Sequence, residues 1–502
     1  HFEQGGDWPR AIKYLKLAAD TAGRRFEPRQ AAEILEHALE LVKKLPEAAQ
    51  AVSEIEILEK LATIYVVLVD DIHAIESYEA LAARAAHNGL IDVEVRALID
   101  MAYPLSWTSS ESSLEALERA LRLSARQEDP NLRARTSARC FAQRLWQRWN
   151  PQDVEEFHNA FAEVLNADNR STLAPYLADC GFVRWICSEY REARRSLIES
   201  RVIKLETVEE NPYLSAAYLI SQCMVLPKNL LFLGEWGEAL REIKDVISML
   251  EKNADYFWGQ VANLNRAWVH LHAMDFAGVL AICNSTLPLV RDPELRLPAE
   301  CPTPRPVMRL CLFLRGKAET ALGNYESALE HLLVARADMD RSATMLAWYH
   351  RMQLESALTE LWLAKDDLKQ ARPQAESYLK ITLATAEHTW QALAWEVNAR
   401  VAMAELDLTR AQDCIAKGLS AMAGFEVPLA AWRVHATAAE LYRRMKSREL
   451  AERQLALSRQ TIMKLANSLP AEEPLRQTFL SAPAIRKILG DRGSSYLSAK
   501  EA

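Results

Sequence analysis

One pattern recurs about every forty residues along the whole chain, and it constrains the fold more than any other feature. A turn is followed by an aromatic residue or Leu, then Ala, then apolar residues four and seven positions later. GNYESALEHLLVA (323–335) shows it most clearly, followed by GEWGEALREIKDV (234–246) and SEYREARRSLIES (188–200). With the Ala as anchor the series runs Ala31, Ala74, Ala116, Val154, Ala193, Ala239, Val279, Ala328, Ala371, Ala411 and Ala451. Spacing of i, i+4, i+7 places these side chains in one stripe of an α-helix. Twelve residues before each anchor stands a position that is small in nine of eleven cases, for example Ala19, Ala62, Gly181, Ala267, Gly316 and Ala439. Chance gives roughly a third. The two exceptions, Pro104 and Pro227, predict that repeats three and six are distorted or shifted in register.

A small residue on one helix facing a stripe on the next lets two axes approach to about 8 Å. Each repeat therefore reads as two amphipathic helices, and a single pair cannot bury its stripe alone. Stacking in a row covers the stripes, which predicts an all-α chain built as a solenoid of about eleven helix–turn–helix units. Gly234, Asp275, Gly323, Asp366 and Asp407, just before second helices, suit the turn.

Composition agrees. Only 15 of 502 residues are Gly, too few for the turns of a large β or doubly wound chain. No apolar run is long enough for a membrane span, and the N-terminus lacks a signal-peptide core. The eight cysteines form no C-x-x-C pair and lie mostly in apolar helical runs, which reads as buried, reduced thiols and a cytoplasmic setting. A net charge of −8 and the lack of a sustained basic stripe argue against direct nucleic-acid binding. The locally basic RARTSARCFAQRLWQRW (133–149) reads as an amphipathic helix with a solvated Arg face.

The spacing of Gly316, Gly323, Tyr325, Ala328, Leu332 and Ala335 resembles the tetratricopeptide repeat (TPR). The usual period is 34 residues. A period near 40 resembles the long-repeat version that follows the NTPase module of bacterial STAND-type signal-transduction ATPases and transcriptional regulators, including the maltose-system activator and its relatives. Residues 1–26 look like the junction after such an ATPase core, and residues 432–489 like the C-terminal end of those proteins. The resemblance implies a right-handed α-α superhelix that serves as the cytoplasmic sensor and scaffold arm of a larger regulator. It would bind a protein, a peptide or a small-molecule inducer in its concave groove, with no catalytic site, cofactor or metal of its own. ATP and Mg²⁺ would belong to an upstream domain that this stretch lacks. No G-x-x-x-x-G-K-[ST] loop occurs: Gly316-Lys317 is followed by Ala318. A stand-alone TPR adaptor, the C-terminal arm of an ATPase-linked nucleotide cyclase, and an enzyme site on the helical array are the competing readings.

Chemistry-bearing motifs are sparse. His270 and His272 are two apart, poor geometry for one metal on a helix. Cys301 among prolines in CPTPRPV (301–307) reads as a stiff loop, and the acid pairs Asp366/Asp367 and Glu209/Glu210 as helix caps. Trp236, Trp268 and Trp395 read as core. In tetratricopeptide folds the first helix of each repeat lines the groove, so the resemblance puts Trp268, His272, Lys317, Gln353, Glu360, Glu396 and Arg400 there as candidate ligand contacts. The expected layout is an opening repeat at 1–50, partly degenerate repeats over 51–290, a Pro-rich loop at 291–307, regular repeats over 308–467, and a cap and tail at 468–502.

Overall fold

The computed structural model describes residues 2–25, 27–166, 170–206, 221–252, 256–291, 305–341 and 343–490. Each forty-residue pattern forms an antiparallel helical hairpin. In chain order the pairs are α1 Trp8–Arg24 with α2 Pro28–Val42, α3 Glu47–Val67 with α4 Asp71–His87, and α5 Ile91–Thr108 with α6 Ser110–Ser124. Next come α7 Pro130–Gln147 with α8 Pro151–Asn166, α9 Ala174–Ile186 with α10 Tyr190–Glu206, and α11 Leu226–Leu233 with α12 Trp236–Lys252. Then follow α13 Tyr256–His272 with α14 Phe276–Arg291, α15 Arg305–Ala321 with α16 Tyr325–Arg341, and α17 Ala347–Ala364 with α18 Leu368–Leu383. The last pairs are α19 His388–Ala404 with α20 Leu408–Ala421 and α21 Pro428–Arg444 with α22 Arg448–Ser468. Two short helices, α23 Pro474–Ser481 and α24 Pro483–Leu489, lie against α22. The chain is an all-α solenoid of TPR type, with no strand among the described residues.

The small-residue ladder sets the distance between paired helices. A Cβ built on Gly316 would sit 2.6 Å from the Leu332 side chain, and one on Gly181 would sit 2.4 Å from Leu197. Ala31, Ala74, Ala193, Ala239, Val279, Ala328, Ala371 and Ala411 are fully buried. Repeats three and four depart from the expected register. Ser113 is the buried anchor of α6, with its hydroxyl donating to the Ala102 carbonyl at 2.7 Å, and Ala116 sits one turn further on. Asp153 takes that place in α8, and Val154 is half-buried beside it. Ala102 rather than Pro104 then makes the close contact, and Pro104 lies in the last turns of α5. Pro227 follows a π-helical turn at Ser221–Val225 and opens α11. Proline cannot donate the next helical bond, and a widened turn accommodates it.

The hairpin turns share one geometry. Val69, Ser188, Gly234, Met274, Gly323, Asp366, Leu406 and Lys446 each have positive φ two residues before a second helix begins. Asp70, Asp367 and Asp407 follow as N-caps, accepting from the backbone N–H three residues on. Six of these eight left-handed positions are not Gly. Leu406, with φ 63° and 81% of its surface exposed, gains nothing from packing to offset that strain. Leu406→Gly is expected to stabilise the protein by about 0.5 kcal/mol, after allowing for the larger unfolded-state entropy of Gly. A higher urea midpoint checks it.

The solenoid coils back on itself, so that hairpins three to six meet hairpins nine to eleven. In the connector before α17, Met345 N–H donates to the Ser106 carbonyl at 2.9 Å and Leu346 N–H to the Trp146 carbonyl at 2.7 Å. Ser110 N–H donates to the Ala343 carbonyl at 3.1 Å, and Trp348 Nε1 to the Leu145 carbonyl at 2.9 Å. One hairpin further on, His388 N–H donates to Ser188 Oγ at 2.8 Å, and Arg191 grips Glu426 with two nitrogens. Then Trp236 N–H donates to Ser468 Oγ at 3.1 Å. Gly237 abuts the same strut: a Cβ there would lie 2.3 Å from the Ser468 carbonyl oxygen. Aromatic pairs fill the seam, including Trp185–Tyr349 at 4.9 Å, Trp149–Trp348 at 5.5 Å and Trp236–Phe479 at 5.1 Å.

All seven described cysteines are buried and no disulfide joins them. Asp367 caps α18 as the sequence suggests. Most of the Pro-rich loop at 291–307, with Cys301, lies outside the described residues, as do Glu209/Glu210 and the tail from 491. Among the described residues no helix is long and apolar enough to cross a membrane, and no cluster of His, Cys, Asp and Glu could hold a metal.

Candidate functional site

The first helices of hairpins three, four and five present their inner faces to one cavity of about 570 Å³. α5 contributes Asp92, Arg96, Asp100 and Tyr103; α7 contributes Arg135, Thr136, Arg139, Gln143 and Trp146; α9 contributes Tyr176, Ala178, Asp179 and Phe182. Tyr78 of α4 and Lys204 of α10 also line it, and Met345 reaches it from the connector of the second superhelical turn. Both turns of the solenoid therefore touch whatever occupies the space.

The polar row on α7 follows from its sequence. Arg135, Arg139, Gln143 and Gln147 recur every four residues, which keeps them on one face. Ala134, Ala138, Cys140, Ala142 and Leu145 are buried against the neighbouring helices. The Arg face is therefore turned inward, in contrast to the solvated face that the sequence suggests. Arg139 lies 2.8 Å from Asp179 and 3.6 Å from Asp100. Burial pulls the Arg139 guanidinium down, but the two carboxylates more than offset it and hold it charged. Burial raises Asp179 to about 6, against the pull of Arg139, and it also raises Asp100. Half of the Asp100 side chain is accessible, and it lines the cavity. Burial lowers the Lys204 amine and raises Tyr78, Tyr103 and Tyr176. Gln127 donates to Asp92 at 2.8 Å, and Ser110 to Gln147 at 2.9 Å. The space thus combines aromatic walls with fixed charges and directional hydrogen-bonding groups, the usual make-up of a pocket for a small or extended ligand.

None of the seven residues singled out from the sequence lines this cavity. They lie further along, on the first helices of hairpins seven to ten. Four of them come together there. Lys317 Nζ is 2.5 Å from Glu360, which also faces Arg433 at 3.9 Å; Arg400 and His272 are close enough to feel these charges. Lys317, Arg433 and Arg400 hold Glu360 at about 2 against the upward push of burial. Burial, with Arg433 and Lys317, pushes His272 well below the usual imidazole range. Glu396 accepts from Thr437 at 2.6 Å and lies 3.8 Å from Arg400. Trp268 is buried between His272 and Phe313. Gln353 is buried apart from this group, on the face of α17 that carries Tyr349. Lys317, Glu360, Arg433, Glu396 and Arg400 pair with one another, an arrangement that holds the inner face together. The cavity residues carry little signal in the sequence because their hairpins are the degenerate ones; the four-residue polar row of α7 is the signal there is.

No known protein family matches the sequence, and neither does any curated protein. Solved structures do match. A Rap protein complexed with Competence and Sporulation Factor is similar over 75% of this chain and 99% of its own, at 13% identity and TM-score 0.53. The APC/C hetero-tetramer Cut9–Hcn1 matches over 97% of this chain and 96% of its own, at 13% identity and TM-score 0.45. Yeast Tom70 matches over 98% of this chain and 99% of its own, at 12% identity and TM-score 0.33. The likeness to the Rap protein places the chain in the TPR-like helical-repeat fold.

Proposed function

We propose that this chain is a receptor and scaffold arm that takes a small molecule or a short peptide in the cavity of hairpins three to five. One observation carries the reading: the cavity is built from both superhelical turns, with α5, α7 and α9 as its wall and Met345 reaching in from the connector of the other turn. A ligand bridging the two changes the balance between docked and parted turns, by as much as its affinity differs between them. That is the mechanical property a sensor arm needs. The Rap protein of similar fold is complexed with a factor, which supports the reading by analogy of fold alone. The long repeat period and the two end segments favour attachment to a signal-transduction ATPase or transcriptional regulator of bacterial STAND type. A stand-alone adaptor would use the same cavity and differ only in what adjoins the chain.

Ala178→Phe is the direct test. Ala178 lines the cavity on α9, and the added ring takes up part of its space. A thermal-shift screen with pooled tetrapeptides and small organic acids should find stabilisers of the unaltered chain. Ligand at 100 times its Kd adds about 2.7 kcal/mol. Ala178→Phe should abolish those shifts while leaving the unliganded melting temperature within about 2 °C. Equal shifts in both proteins would place the binding elsewhere.

A further inference from the structure

We propose that the cavity of hairpins three to five recognises its ligand by an oxyanion, a carboxylate or a phosphate, seated at Arg135. The inference rests on the cavity being the binding place and adds the chemistry of what binds.

The cations around the cavity are not equivalent. Arg139 is neutralised by Asp179 at 2.8 Å, with Asp100 at 3.6 Å, and Arg96 lies 3.4 Å from Glu59. Among the described residues Arg135, one turn before Arg139, has no carboxylate within ion-pair distance, and its Nε is buried without an acceptor. Tyr176, which burial raises, also lines the cavity and feels the charge of Arg135 as well as that of Arg139. On the same face of α7, Thr136 and Gln143 are buried and line the cavity, with no hydrogen bond among the described residues. Three donors of one helix face thus line the space without partners among the described residues.

An unpaired, partly buried guanidinium is a liability in a folded protein, because desolvation is not offset by a partner. Arginine also differs from lysine in presenting a planar fork that matches carboxylate and phosphate oxygens two at a time. An oxyanion on the Arg135 fork supplies the acceptor that its buried Nε lacks, with the Thr136 hydroxyl one residue on, while Gln143, two turns along α7, is left for the rest of the ligand. A neutral ligand leaves the guanidinium as it is.

The experiment titrates the full chain calorimetrically at low ionic strength with three probes: inorganic phosphate, acetyl-trialanine with a free carboxylate, and the same peptide as its C-terminal amide. Saturable binding of phosphate or of the free acid is expected, with the amide at least about tenfold weaker than the acid. Phosphate alone points to a phosphorylated ligand; the acid alone points to a carboxylate. Arg135→Gln should weaken the binding probe at least about tenfold, and Arg448→Gln, on the exposed start of α22, should not change it. Arg135→Gln should also raise the melting temperature of the unliganded chain by about 1–2 °C, since it removes an uncompensated charge; a purely structural arginine would lower it. Failure of both phosphate and the acid to saturate, or unchanged affinity in Arg135→Gln, overturns the proposal. If acid and amide bind equally and Ala178→Phe still abolishes both, the cavity remains the receptor site and only the oxyanion is lost.

Discussion

Arg309→Met is expected to destabilise the protein by about 3–5 kcal/mol, the largest effect of any single charge removal here. The Arg309 side chain on α15 is completely buried. Its Nε lies 2.6 Å from Asp338 on α16, and Nη1 donates to Thr344 at 2.7 Å. Removing the guanidinium leaves Asp338 buried, with only the exposed Arg341, at 3.4 Å, as a cation among the described residues. The consequence reaches beyond one hairpin. Thr344 immediately precedes Met345 and Leu346, whose N–H groups dock on α5 and α7. Arg309 therefore anchors the connector that holds the second superhelical turn against the cavity. Arg309→Met combined with Asp338→Leu should recover most of the loss, because no charge is then left without a partner. Urea unfolding measures the energies. Hydrogen exchange should show faster opening at residues 343–346 in the single variant than in the double. A loss below 1 kcal/mol in the single variant would refute the anchoring role.

The second large effect is pH-dependent and centres on Glu387. This carboxylate is fully buried at the seam between turns, where it caps α19 by accepting from Trp390 N–H at 2.7 Å and meets the Tyr190 hydroxyl of α10. Tyr190 also contacts Thr389 at 2.5 Å, and Ser188 accepts from His388 N–H. No cation forms an ion pair with Glu387 among the described residues. Burial raises its carboxyl from 4.5 to about 7, although its donors pull the other way. A carboxyl that holds its proton more tightly in the fold than in the unfolded chain stabilises the fold at low pH. That contribution is complete below about pH 4.5 and is lost as pH rises through about 7. The loss amounts to about 3 kcal/mol between pH 4.5 and 8. Glu387→Gln keeps an acceptor without the charge. Its stability relative to the unaltered chain should therefore rise with pH across that window and level off above it. Urea midpoints at pH 5, 6, 7 and 8 for both proteins read this out. Parallel profiles would show that Glu387 does not titrate in the window.

How far the sequence could be read follows the range of each interaction. Ala328, Leu332 and Gly316 announce their hairpin because the contacting residues lie on paired helices within a few turns of chain, and helical periodicity alone sets their phase. The alanine pattern misses the phase of repeats three and four because Ser113 and Asp153 fill the anchor positions. A serine finds a carbonyl in Ala102 and an aspartate finds Arg144 at 3.3 Å, so neither looks apolar in the sequence. The seven candidate residues were placed on first helices, where the structure also has them, but an inner-face position says nothing about whether its charge is already spent. Lys317 and Glu360 neutralise each other across two hairpins, whereas Arg135 has no such partner among the described residues.

The helical hairpin, its near-forty-residue period and the all-α solenoid are written in local pattern, because they depend on nearest-neighbour packing of stripes and small residues. Where the solenoid closes on itself, and where a cavity is left, is a property of the assembled chain. Those outcomes depend on small rotations accumulated over successive hairpins. That sum brings Tyr190 to Glu387 and Met345 over α7, pairings that no local pattern encodes.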